Sequence, residues 1–301
     1  MIYLNGKFVS HQEAALAYND RGFLLSDGIF ETMRAYDGEI SCLSDHYQRL
    51  KTSAEFLGIP FSMTLDEMRD VTYKLLERCE LQGKNASLRL TLTRGTGPRG
   101  LLPPEKVTPT IMISAFSFVS SILKPLKVVI SKIKRNESSP LSNIKSLCYL
   151  DNILARQDAG RKGADECVML NTHGYVACAS VANIFIVTSK GVITPCIADG
   201  VLPGVTRKTI ISICEANNIP IYEEKITEID LIKAKEIFFT NRLIEIQPVS
   251  QVNDILINKG EIGEVTSMLQ KLYKNYITMN FCRNTKQDQK KENEETLRCR
   301  L

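Results

Sequence analysis

Lys145 closes the polar loop Ser142-Asn143-Ile144-Lys145-Ser146, just ahead of Leu147, Leu150, Ile153 and Leu154, which recur at helical spacing. An amine held on a loop against a buried surface loses solvation, which lowers its pKa and leaves the neutral form that condenses with carbonyl groups. A solvated surface lysine is the plainer reading of the same stretch. A second group, Leu202-Pro203-Gly204-Val205-Thr206-Arg207, opens an expected helix. Its glycine lets the backbone approach closely, Thr206 offers a hydroxyl, and unpaired N–H groups at a helix start suit phosphate. A simple turn into a helix would use the same residues. Arg49, close to the start of another helix, could meet a phosphate with two parallel hydrogen bonds or form a surface ion pair. Thr240 and Asn241 end the apolar run Ile237-Phe238-Phe239, where polar groups line sites or begin turns.

These residues need rigid elements to hold them, and the pattern supplies them. Asn5-Gly6 turns a hairpin over Ile2 to Val9, and Asp37-Gly38 turns a second one between Phe30 and Cys42. Ser44 is the expected N-cap of a helix that carries Tyr47, Leu50, Ala54 and Leu57 on one face and stops at Gly58. Thr64 and Glu67 form a capping box for the next helix, through Cys79. Ala86 to Thr93 alternates strictly, which predicts a strand with its leucines on one face and Arg89 on the other. Further strands are expected at Thr110 to Phe118, Leu126 to Ser131, Cys167 to Leu170 and Asn183 to Thr188. Helices are expected at Ser146 to Arg161, Arg207 to Asn217 and Glu261 to Tyr276.

A chain of 301 residues accommodates two cores. The expected division is an N-terminal α/β domain over 1–119, a linker at 120–125, a C-terminal domain over 126–280 and a charged, disordered tail over 281–301. The net charge of +4 is shared between that tail and the body, so no general polyanion-binding surface exists and nucleic acid is not an expected partner. The N-terminus lacks the pattern of a signal peptide, and no apolar run reaches the length of a membrane span, so a cytoplasmic location is expected. Nine scattered cysteines without a C-x-x-C pair, and three histidines, support neither a disulfide framework nor a metal site.

In order along the chain stand Arg49-Leu50, Arg94-Gly95, Lys145 with Tyr149 four residues on, and Gly174-Tyr175-Val176. Asn183-Ile184-Phe185, Leu202 to Arg207 and Pro248-Val249 follow. This series resembles the class IV, fold-type IV aminotransferases, which use pyridoxal 5'-phosphate and include branched-chain aminotransferases, D-amino-acid aminotransferases and 4-amino-4-deoxychorismate lyases. The resemblance spans Ile2 to Tyr276. It implies an α+β chain in two domains, the larger C-terminal one a mixed sheet or barrel, and a homodimer acting on a small amino substrate. It makes Lys145 the Schiff-base lysine. Arg49, the backbone of Val205 and Thr206, and Thr240 would hold the cofactor phosphate, and Tyr149 would lie against the ring. Such a set is chemically coherent, because the aldehyde needs one poised amine and the ring acts as electron sink.

The chain departs from the family at one telling position. The family pattern Tyr-x-x-Glu supplies a glutamate to the ring nitrogen, whereas this chain reads Tyr175-Val176-Ala177-Cys178. A thiol of ordinary pKa about 8.5 is mostly neutral at pH 7 and pairs poorly with a protonated ring nitrogen. Three readings stand open: the chemistry tolerates a weaker sink, Asp165 or Glu166 substitutes, or turnover is lost and the chain only binds the cofactor.

The loop Thr93-Arg94-Gly95-Thr96-Gly97-Pro98-Arg99-Gly100-Leu101, with Arg89 and Asn241, resembles the region where the lyases meet their dicarboxylate substrate. A surface position for Arg99 is equally open. The resemblance therefore leans to 4-amino-4-deoxychorismate lyase, an activity of folate biosynthesis that releases pyruvate to leave 4-aminobenzoate. Glu245-Ile246-Gln247-Pro248-Val249 looks more like the transaminases and keeps open the transfer of amino groups from branched-chain or D-amino acids to 2-oxoglutarate.

Overall fold

The computed structural model describes residues 1–119 and 124–279. The expected linker thus lies mostly, and the expected tail wholly, outside the described residues. Two sheets organise the rest.

The first is antiparallel and runs, edge to edge, Lys7–Val9, Ile2–Leu4, Thr110–Ser117, Ala86–Thr93, Gly28–Tyr36 and Glu39–Ile40. Both expected hairpins form. Positive φ at Asn5 (46°) and Gly6 (87°), and at Asp37 (48°) and Gly38 (85°), matches the right-handed strand twist. The capping box at Thr64 and Glu67 starts the helix Leu65–Arg78, which with Leu43–Leu57 covers one face. That second helix begins one residue before the expected Ser44 cap. Its N-cap, Cys42, is in the left-handed region and donates no side-chain cap.

Cross-strand register decides which residues face the helices. Leu90 lies opposite Glu31, and Arg89 lies opposite Thr32. Partners across a ladder share a face, so Met33, Leu88, Leu90 and the carboxylate of Glu31 point under the helices. Phe30, Thr32 and Arg89 point the other way, toward the second sheet.

That second sheet is mixed. Its order is Ile221–Glu223, Val192–Thr194, Asn183–Val187, Glu236–Asn241, Glu245–Val252, Leu126–Ile130, Glu166–Leu170 and Val176–Ala179, with Ile255–Leu256 paired to Glu245–Val252. It curls until its last strand meets the third, where the Ala179 N–H donates to the Ala182 carbonyl at 2.8 Å. The expected α+β fold with a mixed, barrel-like sheet is therefore what forms. The helix Val205–Ala216 and the helix over 264–279 bury Ile210, Ile213, Leu269 and Tyr273 against Phe185 and Phe238.

Several expectations fail for identifiable reasons. The helix expected from Ser146 begins at Leu150. Its leucine side does not face the core: Leu150 is 67% exposed and Ile153 49%. Ala155 and Ala159 are buried instead, beside Cys167, Met169 and Cys178. Small residues let this helix approach the sheet closely, a preference that hydrophobic periodicity does not register. The strands Val176–Ala179, Val192–Thr194, Ile221–Glu223 and Glu245–Val252 were not legible as strands. The first is buried at every position, so no polar alternation marks it. The cysteines among the described residues are all free.

Candidate functional site

A cavity of about 710 Å³ opens between the two sheets. Lys145 reaches it from an extended segment rather than from a helix. The Phe30 N–H donates to the Lys145 carbonyl, and the Leu147 N–H to the Gly28 carbonyl, each at 2.9 Å, which ties the segment to the strand Gly28–Tyr36. The approach is so close that a Cβ on Gly28 would lie 2.7 Å from the Leu92 oxygen and 2.9 Å from a Leu147 methyl. The segment therefore needs glycine at 28.

The Lys145 amine donates to the Tyr149 hydroxyl at 3.2 Å and sits 4.3 Å from the centre of the Phe30 ring. Burial, with the nearby Arg49 and Arg89 charges, outweighs the attraction of Glu31 and lowers its pKa to about 8. A sizeable fraction of neutral amine thus exists near neutral pH. Capture of an aldehyde should speed up as pH rises and level off above about 8, where the amine is deprotonated. Stopped-flow absorbance across this range checks the expectation, and a flat profile would contradict it. The same shift makes the native state relatively less stable below about pH 8. Between that value and the ordinary 10.5 the unfolded chain holds the extra proton, so the contribution of Lys145 to stability improves as pH rises through that window.

Arg49 is fixed by a buried pair. Its Nε and Nη2 donate to the two oxygens of Glu31 at 2.7 and 2.6 Å, and its Nη1 donates to the Pro203 carbonyl at 3.1 Å. His46 donates from Nδ1 to the same carboxylate at 2.7 Å, since a carboxylate only accepts. Burial alone would raise the Glu31 carboxyl, but Arg49 and His46 hold it at about 2. Burial lowers the His46 pKa despite Glu31, so the imidazole stays neutral. The guanidinium keeps hydrogens to spare for the cavity, which it lines.

Beside Arg49, the helix Val205–Ala216 starts at Gly204 with no side-chain cap. Its first N–H groups lack intrahelical acceptors, as at any helix start. The hydroxyl of Thr240 is buried at the same wall without a hydrogen-bond partner, and that of Thr206 is buried there within reach of the Tyr273 hydroxyl. Gly204 is required there because a Cβ would stand 2.0 Å from the Asn183 Oδ1. Gly204→Ala must push Asn183 off its 2.9 Å bond to the Leu202 carbonyl. Overpacking of this kind costs about 1–3 kcal/mol, so a cofactor dissociation constant raised roughly tenfold or more is expected from equilibrium binding measurements, and an unchanged value would contradict it.

The donor set fits pyridoxal phosphate. Arg49, Arg89, Arg135, Arg242 and Lys145 line the cavity against a single lining carboxylate, Asp151. Arg242 is buried, donates to the Tyr273 hydroxyl at 3.0 Å and to Ser41, and its pKa is raised by nearby groups despite burial. Such a cavity favours a phosphate dianion and a carboxylate, and the unpaired Thr240 hydroxyl is a donor free for the former.

The structure brings Arg49, Lys145, Tyr149, Cys178, Val205, Thr206, Thr240, Arg89 and Asn241 to this one cavity. Arg89 stacks over Phe30 at 3.7 Å. The amide of Asn241 is committed to backbone, donating to the Val181 carbonyl and accepting from the N–H groups of Leu243 and Ile244. Arg99 is exposed on its loop and does not line the cavity of this chain. Arg94 is a brace, bonded to Asp27 and to the carbonyls of Leu57 and Gly58. Neither Asp165 nor Glu166 lines the cavity. Asp165 accepts from the Lys127 N–H, and Glu166 from the N–H groups of Cys167 and Ser180. Sequence reasoning passed over Glu31, His46, Arg135, Ser180 and Arg242. The three-residue spacing of His46 and Arg49 was a usable signal for the first two; Arg135 carried none.

The chain matches the family model "Amino-transferase class IV" over residues 28–252. It is 36% identical over 281 residues to a putative branched-chain-amino-acid aminotransferase of Methanocaldococcus jannaschii, covering 92% of this chain and 96% of that protein. It is 31% identical over 284 residues to the aminodeoxychorismate lyase of Bacillus subtilis, covering 92% and 94%. The crystal structure of a branched-chain amino acid aminotransferase of Escherichia coli superposes with a TM-score of 0.87 at 25% identity, over 92% of this chain and 94% of that one. With a buried lysine at a cation-lined cavity and this breadth of similarity, the chain belongs to the class IV aminotransferase family of pyridoxal phosphate-dependent enzymes.

Proposed function

We propose that the chain is a 4-amino-4-deoxychorismate lyase, splitting its substrate into 4-aminobenzoate and pyruvate. The observation that carries this reading is the buried Cys178, which lines the cavity where the family pattern has a glutamate, while neither Asp165 nor Glu166 lines it in its stead. An elimination that ends in an aromatic ring brings its own driving force and needs less electron withdrawal than transamination. Arg89, at the mouth, is suited to a substrate carboxylate, and the named Bacillus subtilis relative agrees.

In this reading Arg49, the first N–H groups of Val205–Ala216 and the hydroxyls of Thr206 and Thr240 hold the cofactor phosphate. Lys145 would present its amine to the aldehyde, Tyr149 would pack beside the ring, and Cys178 would be the residue of the ring-nitrogen subsite. The cofactor, when bound, supplies a carbonyl for the substrate amine and an electron-withdrawing ring. Lys145 then takes the proton from the substrate carbon that aromatises and returns it as pyruvate leaves, its pKa of about 8 suiting both roles. Burial keeps the Tyr149 phenol protonated, so it can donate to an oxygen as well as accept from Lys145.

The separate sheet and core in each half support a division into an N-terminal and a C-terminal domain. Leu150, Ile153 and Val181 are exposed apolar groups flanking the cavity, which supports a homodimer that covers them. Among the described residues no helix is long and apolar enough to cross a membrane.

The second reading, transamination of a branched-chain or D-amino acid with 2-oxoglutarate, is favoured by the 36% identity to the Methanocaldococcus jannaschii protein. Incubating the holoenzyme with 4-amino-4-deoxychorismate separates the two. Pyruvate released without any added keto acid is the expected result. Activity that appears only with a keto acid and an amino acid would replace the first reading by the second.

A further inference from the structure

Cys178 is buried and lines the cavity near the end of the strand Val176–Ala179. Burial raises its pKa; Arg135 opposes the rise without cancelling it, so the group there is an uncharged S–H. Arg135 also lines the cavity. It donates through Nη2 to the Ser142 carbonyl at 2.9 Å and through Nε to the Gly200 carbonyl at 3.4 Å, while its backbone N–H donates to the Leu170 carbonyl. No ion pair to a carboxylate holds this guanidinium among the described residues. Glu166, the acid whose charge is felt at Cys178, is turned away and occupied by two backbone N–H groups. The Ser180 hydroxyl, buried at the same cavity, has no partner.

These groups form an end of the cavity distinct from the phosphate cradle. Cys178 pairs with Met169 across the ladder and the Arg135 N–H bonds to the neighbouring Leu170 carbonyl, so both stand beside the end of Glu166–Leu170 in the second sheet; the Lys145 carbonyl is bonded to Phe30 and Arg49 to Glu31, on the first sheet. Arg135 with spare N–H groups, the Cys178 thiol and the Ser180 hydroxyl are all able to donate here; Glu166 does not line the cavity, and Asp151, the carboxylate that does, is exposed.

We propose that Arg135 and Cys178 turn the ring-nitrogen subsite into a hydrogen-bond donor, so that this chain holds the pyridine nitrogen of its cofactor unprotonated. The proposal rests on the cofactor orientation given under the proposed function. The physical reason is twofold. A neighbouring guanidinium disfavours a second positive charge, and a pyridine lone pair gives the donors something to bond, whereas a pyridinium N–H facing them would go unsatisfied. An unprotonated ring withdraws fewer electrons. It therefore disfavours moving a proton onto the cofactor, which transamination requires, and leaves eliminations with their own driving force.

The test is nitrogen-15 magnetic resonance of the holoenzyme loaded with ring-labelled pyridoxal phosphate. The resonance is expected at the position of a hydrogen-bonded pyridine at neutral pH. Cys178→Glu, which restores an acceptor, is expected to move it to the pyridinium position. Arg135→Gln is expected to raise the pH at which pyridine converts to pyridinium, and it keeps the test open should the glutamate variant not fold. A pyridinium resonance in the native protein overturns the proposal, as does a Cys178→Glu spectrum that folds and does not move. Borohydride reduction followed by peptide mass spectrometry is run on the same sample. Label on Lys145 with a protonated ring nitrogen defeats this proposal alone, and failure to label Lys145 defeats the orientation beneath it.

Discussion

Lys145→Ala is expected to abolish covalent attachment of the cofactor and to cut turnover by roughly 10²–10⁴-fold from lost proton transfer alone. The loss should be larger where the missing covalent step also limits. No second amine replaces it: Lys145 is the lysine that lines the cavity. Two controls make the result specific. The variant should still bind the phosphate of pyridoxal phosphate, because Arg49 and the start of Val205–Ala216 are untouched, so affinity falls while binding persists. It should also fold at least as well as the native chain near neutral pH, since an amine with its pKa lowered to about 8 by burial is unfavourable there in its charged form. Reduction with borohydride, digestion and mass analysis give the answer. Cofactor still covalently held by the variant would remove Lys145 from its role.

Arg49→Met carries the largest expected cost in stability. Glu31 is 1% exposed and its charge is balanced chiefly by Arg49. Breaking a buried pair from one side typically costs about 3–5 kcal/mol, because the partner's charge is left uncompensated. The pH dependence follows from the depressed carboxyl. With a folded pKa of about 2 against an ordinary 4.5, Glu31 stabilises the native chain above pH 4.5, and that contribution is lost as pH falls toward 2. With Arg49 gone, burial raises the Glu31 carboxyl instead, so the destabilisation by Arg49→Met should be largest near neutral pH and shrink as acid protonates Glu31, as read by circular dichroism. Pairing it with Glu31→Gln should recover most of the stability, since an amide can be buried at lower cost, but should not recover cofactor affinity. If the double variant recovered both, Arg49 would be a structural residue only, and the phosphate would be held elsewhere.

These two residues show how differently the two kinds of information enter. Lys145, Arg49 and the stretch from Leu202 to Arg207 could be singled out in the sequence because their residue types announce a chemistry. Their order along the chain carried the family, and with it an α+β fold of two sheets. Hairpins at Asn5-Gly6 and Asp37-Gly38, the capping box at Thr64 and the alternation of Ala86 to Thr93 were equally legible, because turn chemistry and short periods act between near neighbours.

What sequence reasoning got wrong or passed over depends on residues far apart in the chain. The leucines after Lys145 have helical spacing, yet the alanines on the opposite side are buried, because only the neighbouring strand Glu166–Leu170 determines which face fits. Glu31 lies inside an ordinary strand, and it becomes the anchor of Arg49 through a ladder register set by Ala86–Thr93 and a helix that crosses above it. Arg99 was a candidate for which a surface position stood equally open; its loop carries it into solvent in this chain, while a strand points Arg89 into the cavity. Cys178 was visible as a departure; its consequence was not. That Arg135 lines the cavity with it while Glu166 accepts from backbone N–H groups is decided by where these residues and the strand Val176–Ala179 come to rest. Local chemistry is written along the chain, whereas the sign of the charge around a buried group is a sum over neighbours that only tertiary packing assembles.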